Sequence, residues 1–356
     1  IFAIQDEIAA DVVEQLKVTL LSEAPTVEET DAEAYDLFLQ ARQVRRQGGE
    51  GGLERSNGLY RQALEIDPDY AGAWVGLAIN YVHQAGFGLG LADDGYRLAR
   101  EAANRALTID QDFAPAYAVL GQIAADNDRD LATAARYTER ALELDPNNTD
   151  ILHLAAGLLE KLGRLDESIA LKEYVAARDP VNPGVQLGLA AAYLYADRMD
   201  EAIASCRTAQ HLNPGSGGAN FIIGVALLWK NQPEEALAAM QKETYEPFRE
   251  LGLTMAYHAL GRASESDSVL AKVIEELGPE WAYNIAYVLA FRSEADRAFQ
   301  WLDKAVQAND PGLSLLAVPI QFANILDDPR WLPLLDRIGK APEQLAAIEF
   351  EVRLPQ

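Results

Sequence analysis

The sequence predicts an all-α fold: a right-handed α-solenoid of about eight helix pairs with non-repeat caps at both ends. Three observations predict it: a proline that returns at a fixed period, small residues at fixed distances before it, and helically spaced apolar residues after it. A period near 34 residues is typical of solenoids whose unit is a helix pair. The proline-containing strings are Asp67-Pro68, Asp145-Pro146, Asp179-Pro180 and Asn213-Pro214, the last three being 34 residues apart.

Small residues precede each proline at two fixed positions, twelve and five residues upstream. Two helices that pack closely need small side chains where their backbones approach. We therefore expect these positions to form the contact between the two helices of each unit. They are Ser56, Ala134, Ser168 and Ala202 in the first set, and Ala63, Ala141, Val175 and Ala209 in the second.

The turns of each unit are also marked in the sequence. Proline lacks an N–H and disfavours the α conformation in the residue before it, so it is expected to end the second helix. Between the two helices of a unit, Gly163 and Gly261 are each followed by an arginine. Glycine at this place is typical of a left-handed cap at the end of the first helix.

Bulky, leucine, small and aromatic residues follow the prolines at helical spacing, as in Trp74, Leu77, Ala78 and Tyr81. Together with the small residues, they make the chain similar to the tetratricopeptide repeat (TPR) family over residues 31–310. The resemblance implies a non-catalytic scaffold for protein–protein interaction. Insertions at residues 48–52 and 86–90 lengthen two of the units.

The two ends do not follow the repeat. Residues 1–24 are predicted to form a helix that is either a cap or the end of a preceding domain, and residues 311–356 a C-terminal capping segment. Residues 2–9, 295–302 and 327–339 resemble parts of bacterial TolB-like/TPR signalling proteins, which often carry a class III nucleotide cyclase or a winged-helix domain. This resemblance implies the repeat arm of a larger bacterial signalling or regulatory protein.

The chain is strongly acidic, with a formal net charge of −25. Phosphate binding needs clustered Lys and Arg, so we expect no nucleic acid binding by this region. No apolar run approaches the ~20 residues that span a bilayer, so we expect no membrane insertion either. The compartment is left open between cytoplasm and periplasm, including the soluble arm of a membrane-anchored protein. Cys206 is the only cysteine, which excludes an intrachain disulfide.

First helices of such units line the concave face of a solenoid, and their groove positions are apolar and aromatic in the C-terminal half. An exposed patch of this kind is typical of a binding surface for a peptide or a helix. Two alternatives stay open: residues 311–356 fill the groove, or these side chains are ordinary interhelix core. The candidate residues are Leu187, Leu194, Tyr195, Phe221, Val225, Leu228, Trp229, Tyr283 and Tyr287.

Arg42, Arg45 and Arg46 form the one basic concentration in the chain, which suggests either a patch for an acidic ligand or a solvated helix end. No catalytic or metal-binding constellation is recognisable, because the histidines fall in different repeats and there is one cysteine. We therefore expect no enzyme activity and no cofactor. The expected partner is a protein or peptide, or another copy of the chain if its role is structural self-assembly.

Overall fold

The computed structural model describes residues 30–47, 51–86, 92–215 and 217–354, which contain helices and turns but no strand. The predicted all-α solenoid of helix pairs is confirmed. The predicted helix at residues 1–24 and most of the two insertions lie outside these residues. No helix in the described part of the chain is both long and apolar enough to cross a membrane.

Eight helix pairs follow one another along the described chain, and the two helices of each pair pack against each other. The pairs are α1 (Ala32–Gln47) and α2 (Gly52–Ile66), α3 (Ala71–Gly86) and α4 (Ala92–Ile109), α5 (Ala114–Asp126) and α6 (Leu131–Leu144), α7 (Thr149–Lys161) and α8 (Leu165–Arg178), α9 (Pro183–Tyr195) and α10 (Met199–Leu212), α11 (Ala219–Trp229) and α12 (Pro233–Met240), α13 (Glu246–Ala259) and α14 (Ala263–Leu277), and α15 (Ala282–Phe291) and α16 (Ala295–Gln307).

The sequence marks of the turns are confirmed. Asp145 and Asp179 leave the helical conformation before their prolines. Gly163 and Gly261 have φ of 75° and 71°, the left-handed caps predicted for them. The same turn is left-handed in four other units where no glycine marks it, at Arg129, Asp197, Asn231 and Ser293.

The small positions lie where the helices of a pair meet. Ser168 is fully buried, and its hydroxyl donates to the carbonyl oxygen of Ala156 on the first helix at 2.8 Å. Ser266 repeats this bond with the carbonyl oxygen of Thr254 at 2.7 Å. Each serine thus keeps the close approach and satisfies its own polar group. Cys206 is fully buried, and burial raises the pKa of its thiol to about 12.

After the last pair the chain no longer forms paired α-helices. Two short 3₁₀ helices, Pro311–Ala317 and Pro319–Ile325, are followed by α17 (Trp331–Arg337) and α18 (Pro342–Ala346). We call residues 311–325 the crossing segment. Its packing against the solenoid determines which part of the predicted groove is open.

Candidate binding surfaces on the concave face

The first helices of the units form the inner face of the described solenoid. Neighbouring first helices contact each other directly at most steps along the stack, and contacts of that extent are not found between neighbouring second helices of the described chain. Elements on the inside of a curved stack lie closer together than those on the outside. The concave face is therefore made by the first helices, where the sequence placed the groove.

The crossing segment lies on this concave face. Its first 3₁₀ helix contacts α5, α7 and α15, and its second contacts α9 and α15. All four are first helices, from the third, fourth, fifth and eighth units. The chain therefore returns from its last unit into its own superhelix and spans the interior to units that precede it by 100 residues or more.

Phe322 anchors the crossing segment. The side chain is fully buried, and its ring centroid lies 5.5 Å from that of Tyr283 and 6.2 Å from that of Tyr287. The Tyr283 hydroxyl donates to Oε1 of Gln321 at 2.6 Å. Burying a phenylalanine side chain contributes about 1.5–3 kcal/mol, so this contact fixes the segment in the groove.

Asp310 fixes the start of the crossing segment. Its carboxylate accepts hydrogen bonds from the backbone N–H of Tyr283 at 2.8 Å and of Gly312 at 2.9 Å. Burial raises the pKa of this carboxyl, and the two backbone donors oppose the rise because they favour the charged form. Gly312 then passes so close to Tyr283 that a Cβ there would lie 2.4 Å from its ring.

Further contacts tie the C-terminal residues to the third and fourth units. Lys340 is buried, and its ammonium nitrogen donates to the carbonyl oxygens of Ser314 at 3.1 Å and Lys161 at 3.2 Å. Burial lowers the pKa of Lys340 to about 7. Arg164 donates to the carbonyl oxygen of Phe350. The C-terminal residues therefore pack inside and across the solenoid in addition to following its last unit.

The predicted groove residues divide into two sets. Leu194, Val225, Leu228, Tyr283 and Tyr287 are buried, whereas Leu187, Tyr195, Phe221 and Trp229 are partly exposed. Burial raises the pKa of Tyr283 and Tyr287, and the nearby phenol of Tyr195 raises both further, so α9 and α15 approach each other across the interior. A role for these residues in binding a partner stays a prediction.

Several residues of this surface were missed in the sequence. Phe221 stacks on Phe248 with ring centroids 5.1 Å apart, and Phe248 also contacts Tyr245 and Trp281 edge to face. Aromatic residues at the starts of three consecutive first helices were the signal available for this cluster. Phe322 carried no such signal, because it lies outside the repeat and has no equivalent in other units.

The arginines of the predicted patch lie at an open cavity of about 400 Å³ in the N-terminal half of the concave face. The cavity is bounded by α1, α3, Tyr60 of α2 and the residues that begin α5 and α7. Arg42 reaches Asp150 of the fourth unit, with 3.7 Å between Nη2 and Oδ2. None of the lining residues belongs to the crossing segment, so this part of the concave face is not covered by it.

Two partly buried histidines lie near this cavity, and His83 is close enough to Arg45 and His153 for their charges to interact. Burial lowers the pKa of both His83 and His153 to about 4, and the charges of Arg45 and Lys172 respectively lower them further. Both imidazoles are therefore neutral at pH 7. Among the described residues, no group of three or more His, Cys, Asp or Glu side chains is arranged to hold a metal ion.

Helix pairs that are stacked with their first helices inward are typical of α-solenoids built from repeats. The model of the tetratricopeptide repeat family matches residues 124–183, 153–217 and 187–246. The chain therefore contains tetratricopeptide repeats, a family that is generally non-catalytic. No curated protein sequence matches the chain.

Solved structures with the same fold include two complexes of human IFIT1. The IFIT1 dimer with PPP-AAAA is 16% identical, with a TM-score of 0.56 over 83% of this chain and 77% of that chain. The IFIT1 dimer with m7Gppp-AAAA is 15% identical, with a TM-score of 0.57 over 85% and 78%. Pseudomonas aeruginosa pilF is 17% identical, with a TM-score of 0.45 over 59% of this chain and 92% of that chain.

The sequence-based exclusion of nucleic acid is wrong. Solved structures with this fold hold RNA with a triphosphate or a cap, so the fold is compatible with such a ligand. The net charge of −25 was a poor guide to nucleic acid binding, because it is a sum over the whole chain. A binding site responds to the local field, and the concave face gathers arginines that the sum conceals.

Proposed function

We propose that this chain is a scaffold that binds a partner polypeptide on its concave face. The observation that carries the proposal is the crossing segment itself. The first helices already hold a stretch of polypeptide from outside the repeat, anchored by the contacts of Phe322 with Tyr283 and Tyr287 and by Asp310 at its start. A surface that recognises such a segment within its own chain has the features needed to recognise one in a partner.

In this proposal the partner competes with the crossing segment for the C-terminal half of the groove. A segment tethered beside its site acts at an effective concentration of about millimolar, so a partner must bind more strongly or meet the site when the segment has left. Leu187, Phe221 and Trp229 are partly exposed and offer a first contact. The crossing segment then determines how tightly a partner must bind in order to displace it.

The further role we propose is the repeat arm of a larger bacterial signalling or regulatory protein. It is supported by the similarity of residues 2–9, 295–302 and 327–339 to parts of TolB-like/TPR signalling proteins. In such an arm, partner binding would be the input and a separate effector domain the output.

A peptide supplied in trans tests the groove. A labelled peptide of residues 311–326 is titrated by fluorescence anisotropy against the wild-type chain and against Phe322→Ala. We expect binding to Phe322→Ala, whose own segment has lost its anchor, and at least about tenfold weaker binding to the wild type, whose groove is occupied. The peptide that itself carries Phe322→Ala should not bind.

The matched control chain is Leu332→Ala, since Leu332 lies just after the same segment but is 63% exposed. It should behave as the wild type does. Helical circular dichroism verifies that Phe322→Ala retains its repeats. If the wild-type peptide binds neither Phe322→Ala nor the wild-type chain, the groove does not recognise a separate polypeptide segment and the proposal is wrong.

A second candidate function is nucleic acid binding by the concave face. The arginine-lined cavity favours it, and the IFIT1 structures hold PPP-AAAA and m7Gppp-AAAA on the same fold. A labelled tetra-adenylate with a 5′-triphosphate, titrated at two salt concentrations, tests it. Binding that weakens as salt rises is expected, because phosphate contacts release counterions. The absence of binding at low salt would remove this candidate.

A further inference from the structure

We propose that the cavity formed by Arg42, Arg45 and Arg46 is a binding site for the phosphate group of a nucleotide-sized ligand. This inference is independent of the scaffold role. It names the residues and the chemical group that nucleic acid binding, the second candidate function, would use. It depends on that candidate only if the bound phosphate belongs to a nucleic acid. Free nucleotides and 5′-phosphorylated strands share the same recognised group.

The three arginines are brought together by one helix. Their spacing of three and four residues places them on a single face of α1, and all three line the cavity. Arg42 is partly engaged by Asp150 at 3.7 Å, and it lies 5.6 Å from the ring centroid of Phe38. No ion pair is found for Arg45 or Arg46 within the described ranges. The site therefore keeps guanidinium groups available for a ligand.

Two buried polar atoms at the cavity lack a hydrogen-bond partner among the described residues. One is Nε of Arg45, and the other is the hydroxyl of Tyr60, whose side chain is fully buried and lines the cavity. A buried polar atom without a hydrogen-bond partner is destabilising, so such atoms in a native fold call for a ligand or water. Burial raises the pKa of Tyr60, while the charges of Arg45 and Arg42 and close approach of the Arg45 and Ser56 side chains lower it. The Tyr60 hydroxyl and the Arg45 guanidinium therefore lie within reach of each other, but they do not meet in hydrogen-bond geometry.

The charge and shape of the cavity favour phosphate over a single carboxylate. Three guanidinium groups against the one carboxylate of Asp150 leave an excess of two positive charges. A phosphate monoester carries about −1.5 to −2 at pH 7 and has the oxygens for bidentate contacts with arginine. One part of the wall is apolar, with Phe38, Val75 and Phe113, and another part is polar, with Asn147, Asn148 and Thr149. Its volume of about 400 Å³ lies in the range of small-ligand sites.

Isothermal titration of the full chain with pyrophosphate and with ADP tests the site. We expect both to bind the wild type, ADP more tightly because its base can contact the apolar wall. Arg45→Gln/Arg46→Gln should weaken both by at least about tenfold, since each removed guanidinium takes charge-assisted hydrogen bonds with it. Arg45→Lys/Arg46→Lys keeps the charge but not the bidentate geometry and should give intermediate affinity.

The control is Arg207→Gln, an exposed arginine on α10, which removes one positive charge away from the cavity. Its affinity for ADP should equal that of the wild type. The proposal is overturned if the wild type binds neither probe, if Arg207→Gln weakens binding as much as the double variant, or if an acidic peptide binds the cavity while ADP does not.

A third arm separates this proposal from the nucleic acid candidate. If ADP and pyrophosphate bind but a 5′-phosphorylated tetra-adenylate does not, the site is supported and the nucleic acid function fails. If the oligonucleotide binds wild type and double variant equally, nucleic acid is bound elsewhere and the site proposed here is wrong.

Discussion

Individual side chains of this solenoid show how a close-packed repeat accommodates polar groups. Lys172 on α8 donates to the Glu160 carboxylate at 2.6 Å and to the carbonyl oxygen of Gly188 at 3.1 Å, linking three helices of two units. Both side chains of the ion pair are less than 9% exposed. A buried pair adds little net stability over an apolar pair, but breaking it leaves an uncompensated charge.

We expect Glu160→Ala to lower the free energy of unfolding by about 3–5 kcal/mol, because it leaves the Lys172 ammonium buried without a counter-charge. The measurement is a urea titration followed by circular dichroism. The control is Glu167→Ala, whose carboxylate pairs with Arg164 at 2.6 Å in a half-exposed position and should cost under about 1 kcal/mol. Equal costs for the two variants would contradict this account.

Among the elements, the crossing segment behaves differently from the helix pairs. A helix pair is held by its neighbours in sequence, whereas the crossing segment is held by first helices of the third, fourth, fifth and eighth units. Its two 3₁₀ helices begin at Pro311 and Pro319, and short 3₁₀ helices are common as connectors outside regular α-helical packing. Its position thus depends on the assembled superhelix.

Gly312→Ala is expected to release the crossing segment, because the added Cβ would lie 2.4 Å from the Tyr283 ring. Faster hydrogen exchange and proteolytic cleavage within residues 311–325 would report the release, with the repeats still helical. Gly157→Ala is the matched control, since nothing lies within 4 Å of its added Cβ. Unchanged exchange in Gly312→Ala would show that the segment accommodates the methyl group.

At the scale of the whole molecule, the superhelix closes on itself. Arg42 of the first unit meets Asp150 of the fourth, and Tyr195 of the fifth approaches Tyr283 and Tyr287 of the eighth. His83, His153 and Arg45, from three different units, lie close enough for their charges to interact. The interior therefore brings together side chains from units that are distant in sequence. A self-assembling role for the chain stays a prediction.

We expect the free energy of unfolding to fall as the pH drops from about 6.5 to about 4. Folding lowers the pKa of His83 and His153 from 6.5 to about 4, so in this window the unfolded chain binds protons that the folded chain does not. Urea midpoints measured across the window should fall less steeply in His83→Gln/His153→Gln. His211→Gln, an exposed control, should keep the wild-type slope, and an equally steep double variant would contradict the assignment.

The local structure was determined by the sequence alone. The prolines after Asp145 and Asp179, the small residues twelve and five positions before them and the glycine caps at Gly163 and Gly261 identify helix pairs in phase, because each feature acts within one unit. Arginine side chains three and four residues apart on α1 were likewise readable as one patch. The left-handed turns at Arg129 and Ser293 were not, because their geometry comes from the packing of the pair.

Only the tertiary structure decided which distant residues meet. A repeat specifies contacts between neighbouring units, and small rotations between units accumulate until the first unit faces the fourth and the fifth faces the eighth. The repeat pattern does not encode the total rotation between distant units. It also does not predict that Phe322 contacts Tyr283 and Tyr287. The sequence therefore determined an α-solenoid with a concave face. The closed superhelix decided that its C-terminal half holds the chain's own segment while the arginine cavity stays open.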